Sequence, residues 1–371
     1  MTKVNVLASY LSDLFVLALL CLTLAGCGDD GGQSLALQSQ PSSGDPCAAG
    51  PDASQLASRA AAAIHYTPQG RIFVADQLGD TVSVIDVASN QRFNAISTGR
   101  GPHHVAVSPD NRELWVTLYG EKFLQVFCVS NGTPLAKIAS DGQTDDLAFT
   151  PDGKYVFVSM GQDNKLLAVE ASSYKVIEKL AVGKVPHGVR VRPDGKEVYV
   201  TSTSDNTVTA VEVATRKVVA TIAVGAANPF ELNFSADSSR LYVSNFLGGS
   251  LSLIDTASHA RLPQRGLWRT GNQPAMIWLD SKGSLYVACE GDGKVWVYNT
   301  TDGSGKPVDR ITVGKQSHGI VAANNGNLYV TNVKDNSVTV IDGQSNKLLT
   351  TIAVGTAPNG LVYSAYAGKP Q

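Results

Sequence analysis

Several features that would betray a function are scarce or missing here. Only 17% of the 371 residues are charged and the formal net charge is −2; removal of residues 1–26 would take away one Lys and one Asp, so no basic excess is left to attract a polyanion. Nucleic acid is therefore not an expected partner. Five cysteines are present, but none forms C-x-x-C or C-x-x-C-H, which excludes a thioredoxin-like pair and a covalent c-type haem. Cys21 and Cys27 belong to an apolar leader, leaving Cys47, Cys128 and Cys289, among which one bridge at most can form and none is expected. The body also lacks the 3.6-residue period of a long helix, a G-x-S-x-G elbow, and any H-x-H or H-x-x-x-H spacing.

The amino terminus is the exception to this blandness. Lys3 precedes the apolar run Leu14 to Leu24, which has the length of a secretory leader and is too short for a resident membrane helix. It ends in Leu24-Ala25-Gly26-Cys27, which matches a bacterial lipobox: small residues before the cut, then the cysteine whose thiol takes diacylglycerol. Residues 1–26 read as a removed signal peptide and residues 27–58 as the lipidated Cys27 with a polar tether spanning ~30 Å. Gly28, rather than Asp, after the cysteine points to the outer membrane. The implied partner at this end is the membrane.

Residues 59–366 carry an internal repeat, with 367–371 as a tail. Its clearest portion occurs seven times, as Ile72 to Asp76, Leu114 to Leu118, Val156 to Met160, Val198 to Ser202, Leu241 to Asn245, Leu285 to Cys289 and Leu328 to Asn332. The residues opening the preceding strand are Pro102, Thr144, Pro186, Pro229, Pro274, Ser317 and Pro358, spaced by 42, 42, 43, 45, 43 and 41 residues. Each repeat holds four alternating apolar and polar segments, with turns such as Pro193-Asp194-Gly195 and Asp205-Asn206 between them. Four short strands at that period make one propeller blade, so the expected fold is all-β: a seven-bladed β-propeller of four-stranded antiparallel blades. Both Ala63–Thr67 and Gly360–Ser364 look like first strands, and the sequence leaves open which of them completes the first blade.

Tyr329-Val330-Thr331-Asn332, the Pro-Asp-Gly turns and Ser337 to Asp342 resemble the YVTN-type β-propeller repeat. Blade two departs from it, with Phe127-Cys128 where other blades carry Asp or Glu. The resemblance implies an extracytoplasmic propeller; it implies no particular activity, because such rings serve as binding scaffolds, lyases, lactonases and redox enzymes alike.

In a propeller the first strand of each blade runs beside the central channel. Alignment of the repeats puts His103, Asp145, His187, Phe230, Ala275, His318 and Asn359 at one position. His103, His187 and His318, which the alignment brings to one mouth from blades two, four and seven, are candidate ligands for a transition metal such as copper; the competing reading is a mouth too wide for three imidazoles to share one ion at ~2 Å. Arg100, Lys184 and Lys315 precede them by three residues, an arrangement that would suit a small anionic ligand at the channel mouth, whereas blade three offers Asp141, Asp145 and Asp146. Pro-His-Gly at a strand start is equally an ordinary turn, and a rim of charges is equally a solvated one. The residues closing the second strands, Asp76, Leu118, Met160, Ser202, Asn245, Cys289 and Asn332, together with Glu290, are expected near the same face. Two functional readings remain: a binding scaffold presenting the channel mouth to a periplasmic protein or small anion, and a metal-dependent enzyme or metal-handling protein using the histidines.

Overall fold

A computed structural model of the chain describes Cys47 and residues 70–262 and 267–365. The leader, Cys27, the rest of the tether, His65 and the Ala63–Thr67 segment lie outside the described residues. Seven antiparallel sheets account for nearly all of the structure, and the other regular elements among the described residues are two single-turn 3₁₀ segments, Ala171–Ser173 and Val333–Asp335. No helix among them is long and apolar enough to cross a membrane.

Each blade is a meander in which consecutive strands pair. Blade four is typical, with Pro186–Val191 innermost, then Glu197–Ser202, Thr207–Glu212 and Lys217–Ala223. Burial falls outward, since the second strands are almost wholly buried and the fourth strands mostly exposed. In blade five the fourth strand is in two pieces, Ala260–Arg261 and Trp268–Arg269, both paired with Ser250–Asp255. The turn residues adopt the backbone their chemistry anticipates, with positive φ at Asn111, Gly153 and Gly195 and at Asn164, Asn206 and Asn336.

The carboxy-terminal strand closes the ring. Pro358–Ser364 pairs with Arg71–Asp76 and becomes the inner strand of blade one, whose remaining strands come from the start of the domain. Each inner strand touches the next around the circle, including Ser317–Ala322 against Pro358–Ser364 and the latter against Pro102–Val107.

What holds neighbouring blades together is a recurring aromatic. Phe73, Trp115, Phe157, Tyr199, Tyr242, Tyr286 and Tyr329 are all buried, and each lies in an apolar cluster with residues of the following blade: Phe73 with Leu114 and Val116, Trp115 with Val156 and Val158, Tyr199 with Leu241 and Val243. Tyr329 joins blade seven to Ile72 and Val74 of blade one, so the last of these contacts seals the ring. The packing stabilises closure because a large side chain held between two sheets loses its whole apolar surface to water only when both sheets are present.

Cys47 and Cys128 form a disulfide, with Cα atoms 5.5 Å apart. This corrects the expectation of no bridge. It also accounts for the departure in blade two, where Cys128 ends the third strand in place of the acidic residue of other blades. The sequence separation of 81 gave no hint, because the pairing depends on where Cys47 lies against blade two.

Candidate functional site

The inner strands do more than line a hole. In nearly every blade the register slips once between first and second strand, as between Pro102 and Val105, Pro186 and Val189, Pro229 and Leu232, and Ser317 and Ile320. Two consecutive residues then oppose one residue of the second strand, a β-bulge that lets neighbours aim toward the same side. The opposing residue is usually Ser or Thr. Its hydroxyl accepts from the bulged backbone, as from His104 N, Gly188 N, Glu231 N and Gly319 N, and donates to a carbonyl of the next blade. Thr117 Oγ1 reaches Asp145 O at 2.7 Å, Thr201 Oγ1 reaches Phe230 O at 2.8 Å and Ser244 Oγ reaches Ala275 O at 2.7 Å. The small polar residue near the end of each second strand is thus both filler of its own bulge and link to the following inner strand.

The bulges deliver a buried cluster. His103, His104, His187 and His318 are between 3 and 9% exposed. The His104 ring is central: its centroid lies 4.8 Å from that of His103, 5.9 Å from His187 and 6.3 Å from His318, while His103 and His187 are 5.7 Å apart. One ring nitrogen from each of His103, His104 and His187 lies within 4.8 Å of those of the other two. Of the histidines singled out in the sequence, His103 and His187 meet directly, and His318 is reached through His104, which the bulge opposite Thr117 brings to the same cluster. His187 stacks on Phe230 at 3.9 Å, and Tyr119 borders His103 at 5.4 Å.

Every one of these imidazoles has its Nδ1 beside an oxygen from an adjacent blade. His104 Nδ1 is 2.8 Å from Asp146 Oδ1, His103 Nδ1 is 3.2 Å from the Asp145 carbonyl, His187 Nδ1 is 3.4 Å from Glu231 Oε1, and His318 Nδ1 meets Glu290 Oε1. The Glu231 contact has ion-pair distance without hydrogen-bond alignment. Asp146 is fully engaged, since its oxygens also accept from Leu147 N, Val189 N and Arg190 Nη1. Arg190 reaches on to Glu231 at 3.3 Å. On the far ring edges, His104 Nε2 and His318 Nε2 are buried with no hydrogen-bond partner.

Burial and mutual repulsion set the protonation of the cluster. Burial, reinforced by the neighbouring histidines, holds His103 well below the usual imidazole range. For His187, burial works the same way but is outweighed by Glu231 and the two aspartates, so its pKa rises. Burial pushes Asp145 up to about 6; for Asp146 burial is overcome by His104 and Arg190, which hold the carboxyl far below its ordinary value. Burial next to Asp145 raises the Tyr119 phenol to about 12.

The cations expected at the mouth sit apart from this buried group. Arg100, Lys184 and Lys315 are exposed, Arg100 pairing with Glu121 at 3.0 Å and the other two lending backbone N–H groups to Asp205 and Asp335. Asp141 is exposed too, against Lys179. Of the residues closing the second strands, Asp76, Asn245 and Asn332 serve their own blades, holding hydroxyls such as Ser83, Ser252 and Thr339. Cys289 is a free, buried thiol whose pKa burial drives upward. His104, Glu231 and Arg190 escaped the sequence reading. A second register row would have exposed two of them: the residues following the aligned position are His104, Asp146, Gly188, Glu231, Met276, Gly319 and Gly360, in which three ionisable side chains occupy an axial row and three glycines make room. A Cβ on Gly360 would stand 3.0 Å from His104 Cγ, and one on Gly188 would stand 3.1 Å from Glu231 Cδ.

Comparison with known proteins agrees with the β-propeller fold. The family model of the YNCE-like beta-propeller matches residues 122–300. No curated protein sequence matches the chain. Among solved structures, a functionally unknown protein from Desulfotomaculum acetoxidans superposes with a TM-score of 0.70 at 18% identity, covering 79% of this chain and 98% of its own. Hydrazine synthase of Kuenenia stuttgartiensis gives 0.63 at 18% identity over 70% of this chain and 88% of its own. The dihydro-heme d1 dehydrogenase NirN gives 0.61 at 14% identity over 81% and 76%. At such identities the likeness is one of fold.

Proposed function

We propose that this chain is a lipid-anchored extracytoplasmic protein, held at the outer membrane through Cys27, whose propeller is a binding scaffold that takes its ligand at the axial cluster around His103, His187 and His318. The observation that carries the reading is the buried polar edge of that cluster. His104 Nε2, His318 Nε2 and Asn359 Oδ1 are buried with no hydrogen-bond partner from the protein, and because buried polar groups are costly when unsatisfied, a ligand at this edge would be stabilised by them. The Cys47–Cys128 bridge supports the address, because structural disulfides belong to oxidising compartments outside the cytoplasm. The chemistry favours an electron-pair acceptor over an anion, since Asp145, Asp146, Glu231 and Glu290 surround the imidazoles and the exposed cations lie apart.

Two measurements test the two halves. Cys27→Ala should abolish incorporation of labelled palmitate and release the cleaved protein from membranes; retention of the unlipidated protein would remove the anchor from the reading. Native mass spectrometry of protein isolated from its own envelope should show a bound species that disappears in the His103/His187/His318 triple-alanine variant. An unliganded wild type that also fails to bind added transition metals or small dicarboxylates would refute the axial site.

A further inference from the structure

We infer that His103, His104 and His187 form a three-imidazole site for a divalent transition-metal ion of the copper and zinc class, with His104 binding through Nε2 and His318 as the adjacent fourth imidazole. The inference rests on the axial binding reading above and names its ligand.

Three independent features converge on it. The first is distance. Nitrogen ligands at ~2.0–2.1 Å from a tetrahedral ion lie ~3.3 Å from one another, and somewhat farther in a planar set. Ring nitrogens already within 4.8 Å need to close by at most ~1.5 Å, which side-chain rotations supply. The second is orientation. A metal-binding histidine characteristically gives its other nitrogen to a carboxylate or a carbonyl, which fixes the tautomer and leaves the far lone pair for the ion. Here His103, His104 and His318 have Nδ1 at hydrogen-bond distance from such an oxygen, of Asp145, Asp146 and Glu290 respectively, and His187 Nδ1 stands 3.4 Å from Glu231 Oε1. The third is the orphaned far edge: His104 Nε2 and His318 Nε2 are buried without a partner. A metal ligand requires that edge to be free of protein hydrogen-bond partners, as it is for these two nitrogens.

The donor set selects the ion. Three neutral imidazoles without a thiolate suit Cu2+, Zn2+ or Ni2+ and not Ca2+ or Mg2+, which demand oxygen. His104 also lies with Asp146 and Glu231 in a second group whose ligand atoms are within 4.8 Å of one another, but the oxygens of Asp146 are already taken by His104, Arg190 and two backbone amides. Asp146 is accordingly a positioning residue. The surrounding carboxylates supply the negative charge that a divalent ion brought into a buried site must meet.

The test is calorimetric titration of the chelator-treated full-length chain with Zn2+ and, separately, Cu2+. One equivalent should bind, His104→Ala should weaken binding at least ~100-fold, and Asp146→Asn should weaken it ~10–100-fold through loss of orientation. His259→Ala should change nothing, because His259 pairs with Glu197 away from the cluster. X-ray absorption of the zinc-loaded wild type should show at least three imidazoles, which keeps the proposal testable if a variant fails to fold. Absence of stoichiometric binding, or unchanged affinity in a folded His104→Ala chain, overturns it. Titration with a small dicarboxylate separates the outcomes: dicarboxylate binding without metal binding refutes the metal and spares the axial site, whereas binding of neither refutes both.

Discussion

Thr201→Val isolates the hydroxyl that links blade four to blade five. Valine keeps the volume and branching of threonine, so the change removes one buried oxygen and little else. That oxygen accepts from Gly188 N at 2.9 Å and donates to Phe230 O at 2.8 Å, and the residue is wholly buried. Losing the inter-blade bond costs ~1 kcal/mol, and stranding the bulged Gly188 amide away from water adds ~1–3 kcal/mol, for a sum of ~2–4 kcal/mol. In a domain of this size that is a fall in melting temperature of about 3–6 °C. Equilibrium urea unfolding followed by near-ultraviolet circular dichroism reads it directly, with the midpoint reduced and the slope unchanged. Blade one supplies the opposite perturbation, because its bulge faces Ala75 instead of Ser or Thr. Ala75→Ser places a hydroxyl between Gly360 N and the His103 carbonyl and should be neutral or stabilising by up to ~1 kcal/mol. A loss below ~0.5 kcal/mol for Thr201→Val, or equal losses for the two substitutions, would refute the view that these hydroxyls join the blades.

Tyr329→Ala should destabilise the chain by ~3–5 kcal/mol in the same assay, since the ring packs blade seven on blade one and its hydroxyl reaches Asn90; an effect under ~1 kcal/mol would mean that closure does not depend on this contact. Reduction of the Cys47–Cys128 bridge should lower unfolding free energy by at most ~4.5 kcal/mol, the chain-entropy value for its 81-residue separation, and thiol labelling of the unreduced, denatured protein should leave both cysteines unmodified. Asp76→Asn should preserve the fold, because Asn245 and Asn332 hold equivalent hydroxyls at this place in their blades. Burial raises the pKa of Asp76, so its contribution to stability is full below the unfolded carboxyl pKa and declines as pH rises through the folded value. The asparagine variant should therefore gain on wild type near neutral pH and not at pH ~3; an identical pH dependence of the two would refute the assignment.

The limits of the sequence reading follow from how information is carried in a repeat. By default a strand alternates sides at every residue, so the row containing His103, Asp145, His187 and His318 is legible from the repeat alignment and says nothing of the row that follows it. The bulges invalidate that default: with Thr117 facing both His103 and His104, neighbours in sequence become neighbours at one site. Arg190, two residues farther along its strand than Gly188, was beyond any alignment of turns, because it enters the cluster by the length of its side chain, reaching Asp146 and Glu231 from the adjacent blades. The exposed Arg100, Lys184 and Lys315 were chosen for lying three residues before a histidine, and proximity along a chain that is turning a corner does not carry over into proximity across it.

The number of blades, the four strands in each, the chemistry of their turns and the aromatic that seals each gap were determined by the sequence itself, since each is a local pattern repeated seven times. Which terminal strand completes blade one, where Cys47 finds its partner, and the gathering of four histidines on the axis were decided only by the tertiary structure. The physical reason is closure. Bending seven sheets into a ring brings residues far apart in the chain, such as His104 and His318, to ring centroids 6.3 Å apart, and local bulging then lets two adjacent side chains share that space.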